Sequence, residues 1–270
     1  MLSHYLTQLY DRFNDESFIK TDPISIVHAY RNPVDIEWVG LLVSAYSFGR
    51  VSLILRFFSD LMPCFGDSLV GGLTEMNEKD IRQIGESRPY RFYSGADLAT
   101  LLMFIRMMVL EGKSPADFLE ENHDGLNDRA LYEEWGRFLE KSDRWTPGTR
   151  YMFPDPAGSS GRKRFMMYYR WMVRQDRIDF GLWTHLSPSS LIFPLDTHTS
   201  RLCYYLGLSE ARRTDMRTAT LITQRLKEID PKDPVKFDFG LSRLGILNHC
   251  PSARQPEICE DCSLYPVCAR

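Results

Sequence analysis

No apolar run in the chain approaches the length of a membrane-spanning helix, and the opening segment MLSHYLTQLYDRF is amphipathic rather than signal-like, so the sequence reads as cytoplasmic. Positive charge is not in excess. A net charge of −3 argues against a protein that coats nucleic acid non-specifically, because that binding is driven by neutralising phosphates. No repeat or low-complexity segment is visible, and strand signals are absent, which points to an all-α fold. What remains is an ordinary folded composition, 43% hydrophobic and 26% charged, enough over 270 residues for one large core or two lobes.

The helical pattern is dense. SHYLTQLYDRF sets Leu6, Leu9, Tyr10 and Phe13 on one stripe. NPVDIEWVGLLVSAYSFG begins with Asn32 as N-cap and Pro33 at the first helical position, and Gly49 is placed to end it. RVSLILRFFSDLMP follows and stops at Pro63. In SGADLATLLMFIRMMVLEGK, Ser94 is followed three residues on by Asp97, the spacing of a capping box with Asp in place of Glu. SPADFLEEN, RALYEEWGRFLEK, RKRFMMYYRWMVRQ, THTSRLCYYLG, DMRTATLITQRLKEI and PVKFDFGLSRLGILNHC supply further helices. Proline and glycine gather in two connections, residues 145–161 and 184–196, which border a basic stretch.

Two of the six cysteines, Cys64 and Cys203, lie alone in apolar surroundings and read as buried thiols. The other four form C-x8-C-x2-C-x5-C: Cys250, Cys259, Cys262 and Cys268. In a reducing compartment such a cluster is more often a metal site than a pair of disulfides. Zinc and a [4Fe–4S] cluster both accept four thiolates. Zinc ribbons usually present two CxxC knuckles, whereas one CxxC stands here between unequal flanks, which favours iron–sulfur and leaves zinc as the alternative.

From Ser160 to Arg177 six basic residues (Arg162, Lys163, Arg164, Arg170, Arg174 and Arg177) face one acid, Asp176. From Ser114 to Asp143 the balance inverts. These are either two solvated helix faces or segregated binding surfaces. The GSSGRK loop, with Gly158 and Gly161 before a helix start, offers backbone N–H groups to a phosphate, or is an ordinary turn. Asp196 in PLDTH stands where an N-cap is expected, and a carboxylate held rigidly there also suits a developing cation. Lys163 is a surface base, or, beside five arginines, an amine that sheds its proton readily enough to act as a nucleophile.

These motifs carry a resemblance. The run from PLDTHTSRLCYYLGL to CPSARQPEICEDCSLYPVC resembles the C-terminal half of the helix-hairpin-helix base-excision DNA glycosylases, above all the endonuclease III group, with its VDTH helix start, two helices and four-cysteine iron–sulfur loop. GSSGRK resembles that family's GVGRK hairpin, and LLVSAYSFGR its LLSAQ helix. The lysine-to-aspartate interval of 33 residues is longer than in that group, and Tyr46 stands where the group has glutamine. The long interval and SAYSFGR look more like the archaeal 8-oxoguanine glycosylases, which lack the cluster. The chain also looks like an uncharacterised bacterial family, membership of which implies no activity.

The resemblance implies a two-lobed glycosylase fold, with a helical barrel from residues 31–190 and a second lobe from 1–30 and 191–270. That division sets Lys163 and Asp196 on opposite walls of a cleft. It implies a monomeric, nucleoid-associated enzyme acting on double-stranded DNA that contains a damaged base, with no membrane. The base is flipped and excised, and Schiff-base AP lyase activity follows. Carried over residue by residue, Lys163 is the nucleophile, Asp196 the catalytic carboxylate, and Cys250, Cys259, Cys262 and Cys268 the ligands of a [4Fe–4S] cluster, with zinc the alternative cofactor. Gly158, Gly161, Arg162, Arg164 and Arg254 would meet DNA phosphates. Asp238 and Tyr46 are base-pocket candidates, with Asp238 favouring an oxidised purine such as 8-oxoguanine. The alternatives are a monofunctional glycosylase in which Asp196 activates water, and a non-catalytic nucleic-acid-binding protein that keeps the cluster.

Overall fold

A computed structural model describes residues 1–122, 125–247, 249–251, 253 and 255–269. The fold is mostly α-helical. No described helix is long and apolar enough to cross a membrane. The chain divides into two compact units, one of residues 1–18, 121–126 and 159–270, the other of 19–120 and 127–158.

In the second unit the helices Pro33–Tyr46 and Gly95–Leu110 are buried on nearly every face and form its centre. Their ends follow from local chemistry. Asn32 accepts from the Val34 amide with Pro33 at the first position, and Ser94 and Asp97 make the expected reciprocal capping box. The first of these helices ends at Tyr46, three residues before Gly49, whose φ of +96° serves the following loop. Amphipathic helices surround this centre: Val51–Leu61 buries Ile54, Phe58 and Leu61, and Arg129–Ser142 buries Leu131, Trp135 and Leu139. Gly85 lets the Glu78–Glu86 helix lie on Gly95–Leu110, since a Cβ there would stand 2.5 Å from the Ala99 backbone.

In the first unit the Leu2–Phe13 helix lays Leu6, Leu9 and Phe13 inward and packs against the Asp238–Ile246 helix. Gly240 permits this approach, with Leu9 only 3.2 Å from the Cβ it lacks. The helices Lys163–Val173, Thr197–Tyr205 and Met216–Lys227 complete this core.

Three expectations change. SPADFLEEN is a single 3-10 turn, Pro115–Phe118, followed by one strand of a two-stranded sheet, Glu120–Asn122 with Gly125–Asn127. Gly125, at φ +123°, closes against the Ser190 carbonyl where a side chain would collide. The connection 145–161 contains the helix Pro147–Met152, capped by Thr146. The expected boundary near 190 also differs from the structure, where the chain changes unit at 158–159. The basic helix lies in the first unit together with the acid partners of Arg170 and Arg174, among them Asp233 and Asp238 beyond residue 190. Lys163 and Asp196 accordingly share one unit instead of facing each other from two.

Candidate active site and metal centre

Asp196 is the N-cap of Thr197–Tyr205. Its Oδ1 accepts from the amides of His198 and Thr199, each at 2.8 Å, while its own amide donates to Thr199 Oγ1 at 3.0 Å. One carboxylate oxygen is thus held by the helix end, and Oδ2 lies 3.9 Å from Lys163 Nζ. Both side chains remain in reach of solvent, 32% exposed for Lys163 and 41% for Asp196. Burial alone would raise the Asp196 carboxyl, but Lys163 and the two capping amides outweigh it and hold it below the usual carboxylate value.

The position of Lys163 is fixed by its neighbours. Arg162 adopts φ +47°, a left-handed conformation that costs a non-glycine residue about 1 kcal/mol or more and clusters at functional sites. Ahead of it, Gly161 lies under the Thr214 carbonyl, 2.5 Å from where a Cβ would sit. An antiparallel bridge, Gly161 N–H to Thr214 O at 3.1 Å and Met216 N–H to Ser159 O at 2.9 Å, pins this turn to the start of Met216–Lys227.

The phosphate-binding expectations are revised by the same geometry. Gly161 N–H is engaged by Thr214, and Gly158 N–H by Asp155 O at 3.0 Å, so neither faces outward for a ligand. Arg162 and Arg164 are 7% and 8% exposed. Arg170 and Arg174 are buried too. Arg170 donates to Asp238 at 2.6 Å and pairs with Asp179 at 3.2 Å, while Arg174 meets Asp176 at 3.0 Å, Asp233 at 2.8 Å, and Asp179. Four of the six cations are therefore buried, Arg170 and Arg174 in an ion network, while Arg177 is exposed and Lys163 reaches toward Asp196. Arg254 lies outside the described residues.

Both base-pocket candidates are interior groups. Asp238 is 4% exposed and spends its carboxylate on Arg170. Tyr46 is fully buried, stacked on Phe57 at 5.1 Å and edge-on to Phe58 and Tyr93. Trp183 likewise packs on Tyr168. Aromatic surface lies elsewhere, on the second unit, where exposed Phe92 stacks on Phe48 at 4.7 Å and meets exposed Tyr151 at 4.8 Å. Arg91, held at φ +55°, covers Phe48. The three segments that build this patch, FGR, RPYRFY and RWTPGTRY, carry five arginines and no acid. Interleaved arginine and aromatic residues in RPYRFY mark this patch in the sequence.

The four clustered cysteines border one cavity, otherwise walled mainly by Leu202, Tyr205, Leu206, Leu264 and Tyr265. Among the described residues, no three His, Cys, Asp or Glu side chains are grouped tightly enough to hold a single metal ion. Burial pushes the Cys262 thiol up, and Cys250 and Cys259 push the same way, against amide N–H groups of Leu264 and Tyr265. A thiol raised in this way ionises more readily beside a positive charge, which bound metal would supply. The donor set and the N–H groups aimed at sulfur fit such a group. Of the two isolated cysteines, Cys203 is fully buried as expected, its thiol pushed up by burial, whereas Cys64 is half-buried with Arg88 Nη2 3.2 Å from its sulfur.

These features define a mostly helical protein with a Lys–Asp pair and a four-thiol cavity in one unit. Residues 22–247 match the family model described as "Protein of unknown function (DUF2400)", and the chain belongs to that family. The matched span ends before the first of the four clustered cysteines. No curated protein and no solved structure matches the chain.

Proposed function

We propose that the protein is a DNA glycosylase of the helix-hairpin-helix type, with Schiff-base lyase chemistry. The observation that carries this reading is Lys163 Nζ at 3.9 Å from Asp196 Oδ2, the amine rising from a fixed turn and the carboxylate held by a helix end. The target nucleotide is flipped so that its anomeric carbon is reachable. The Lys163 amine, once its proton has passed to Asp196, attacks that carbon, the glycosidic bond breaks, and the base leaves with the bonding pair; loss of a proton and ring opening give the Schiff base, and β-elimination cleaves the strand. Asp196 stabilises the oxocarbenium-like charge and takes up the lysine proton. The arginine–aromatic patch on the second unit supports a nucleic-acid partner, since stacking faces among cations suit bases and phosphates.

Cys250, Cys259, Cys262 and Cys268 would hold a [4Fe–4S] cluster, whose contribution is a rigid tie for the last residues. The single CxxC between unequal flanks favours this over zinc. The Asp238 argument for an oxidised purine lapses, because that carboxylate is neutralised inside the fold. The resemblance to archaeal 8-oxoguanine glycosylases still makes that base the first to test.

Borohydride trapping on a panel of lesion-bearing duplexes tests the reading. Wild-type protein should release one base class and form a covalent adduct. Lys163→Gln should form none, and Asp196→Asn should slow release by about 10²-fold or more. The solvent access of Asp196 favours a second reading, a monofunctional enzyme in which Asp196 activates water; base release without an adduct selects it. DNA binding with no release across the panel refutes both enzymatic readings.

A further inference from the structure

We infer that Arg201 is a positioning residue that ties the cysteine loop to the Asp196 cap, so that the occupancy of the loop sets the order of the Lys163–Asp196 pair. The inference rests on the proposed function for the metal in the cysteine loop and for the chemical role of that pair.

Arg201 lies one helical turn beyond His198. Its Nη2 is 2.9 Å from His198 Nδ1 and 3.0 Å from the Cys250 carbonyl oxygen. A guanidinium only donates, so Nδ1 accepts and the ring proton resides on Nε2. That edge of the ring is pressed against the Asp238–Ile246 helix at Gly245, where a Cβ would stand 1.6 Å from Nε2. The imidazole is therefore held on one side by a missing side chain and on the other by Arg201. The backbone amide of the same residue donates to Asp196 Oδ1, so the residue that Arg201 anchors through its ring also caps the carboxylate. At the far end, the Cys250 amide donates to Leu244 O at 2.9 Å, which anchors the residue whose carbonyl Arg201 reads.

Arg201 Nε and His198 Nε2 are both buried without a protein hydrogen-bond partner, so Nη2 carries the bridge from ring to carbonyl. Cys250 is the first of the four ligands, and its carbonyl is set by the backbone that ligation would hold. That carbonyl, Arg201, the ring and the cap form one continuous chain of contacts within a single unit, and ligation at Cys250 would stiffen its far end.

Hydrogen exchange over residues 196–202 tests this, in wild type and Arg201→Gln, each loaded as purified anaerobically and after stripping with an oxidant and chelator. Stripping the wild type should speed exchange at the His198 and Thr199 amides by roughly tenfold or more, as in a local opening. Arg201→Gln should show that fast exchange while loaded, with wild-type iron content, and should change little on stripping. Slow exchange at those amides in stripped wild type, or in loaded Arg201→Gln, overturns the inference. If Arg201→Gln fails to fold or load, Gly245→Ala displaces the ring from the opposite side and leaves the Cys250 contact in place. Exchange at the two amides must then rise at unchanged metal content, and unchanged exchange overturns the inference. Under the proposed chemistry, loaded Arg201→Gln should also lose turnover roughly tenfold at unchanged KM, the mark of an interaction made in the transition state. A wild type that neither releases base nor forms an adduct defeats the glycosylase reading, while the exchange result stands or falls separately.

Discussion

Replacing Asp238 by Asn separates a pocket residue from a residue of the interior. Asp238 Oδ2 takes a 2.6 Å charged hydrogen bond from Arg170, which is 3% exposed and also pairs with Asp179. Hydrogen bonds to charged groups contribute about 1.5–3 kcal/mol and neutral ones about 0.5–1.5, so Asp238→Asn, which keeps the shape and drops the charge, should cost about 1–2 kcal/mol. Arg170→Met keeps the bulk but strips the guanidinium from two buried carboxylates, and breaking a buried pair in this way costs about 3–5 kcal/mol. Against a total of about 5–15 kcal/mol, that is a large share of the stability. Urea unfolding followed by tryptophan fluorescence reads both variants, since Trp171 on the same helix is fully buried and changes environment on unfolding. If Asp238→Asn unfolds within about 0.5 kcal/mol of wild type yet abolishes base release, the reasoning is refuted and the carboxylate belongs to a pocket.

Gly161→Ala should destabilise the protein by about 1–3 kcal/mol, because its Cβ meets the Thr214 carbonyl at 2.5 Å, and thermal unfolding checks it. Phe92→Ala should leave unfolding unchanged, the ring being 55% exposed, but weaken single-stranded DNA binding by about 1–3 kcal/mol in a fluorescence titration. Cys262→Ser should yield colourless protein with less folded material; a colourless wild type carrying stoichiometric zinc would instead replace iron with zinc at the site. The Asp196 carboxyl lies below its unfolded value, so the stability it contributes is present above that value and is lost as pH falls through the folded one. Lys163→Gln removes the largest lowering influence and should move that acid loss to higher pH, by a small amount because the pair is solvent-screened, in a melting series from about pH 3 to 7.

Much of the candidate site was legible in the chain because its signals are local. Asn32, the Ser94–Asp97 box and Asp196 cap their helices where the residue types say they should, since a cap bonds to amides two or three positions away. The four cysteines meet in one cavity because they span only nineteen residues and close short loops. Periodicity also placed Leu6, Leu9 and Phe13 on a buried stripe, although it assigned a helix to SPADFLEEN, where the chain turns once and extends.

Partners across the chain were beyond such reasoning. Composition displayed six basic residues around Lys163, but whether an arginine is a phosphate ligand or an interior ion depends on the acids that reach it. Asp233 lies 59 residues from Arg174, and Asp238 lies 68 residues from Arg170. Gly161 carries no mark in the sequence that its amide is consumed by Thr214, nor Gly245 that its bareness makes room for His198. The sequence by itself determined most of the helices, several of their caps and the cysteine cluster, all of which follow from interactions between near neighbours. Only the tertiary structure decided which charges are buried, which amides are engaged and which amine faces Asp196, because burial and pairing are properties of packed surfaces that distant segments build together.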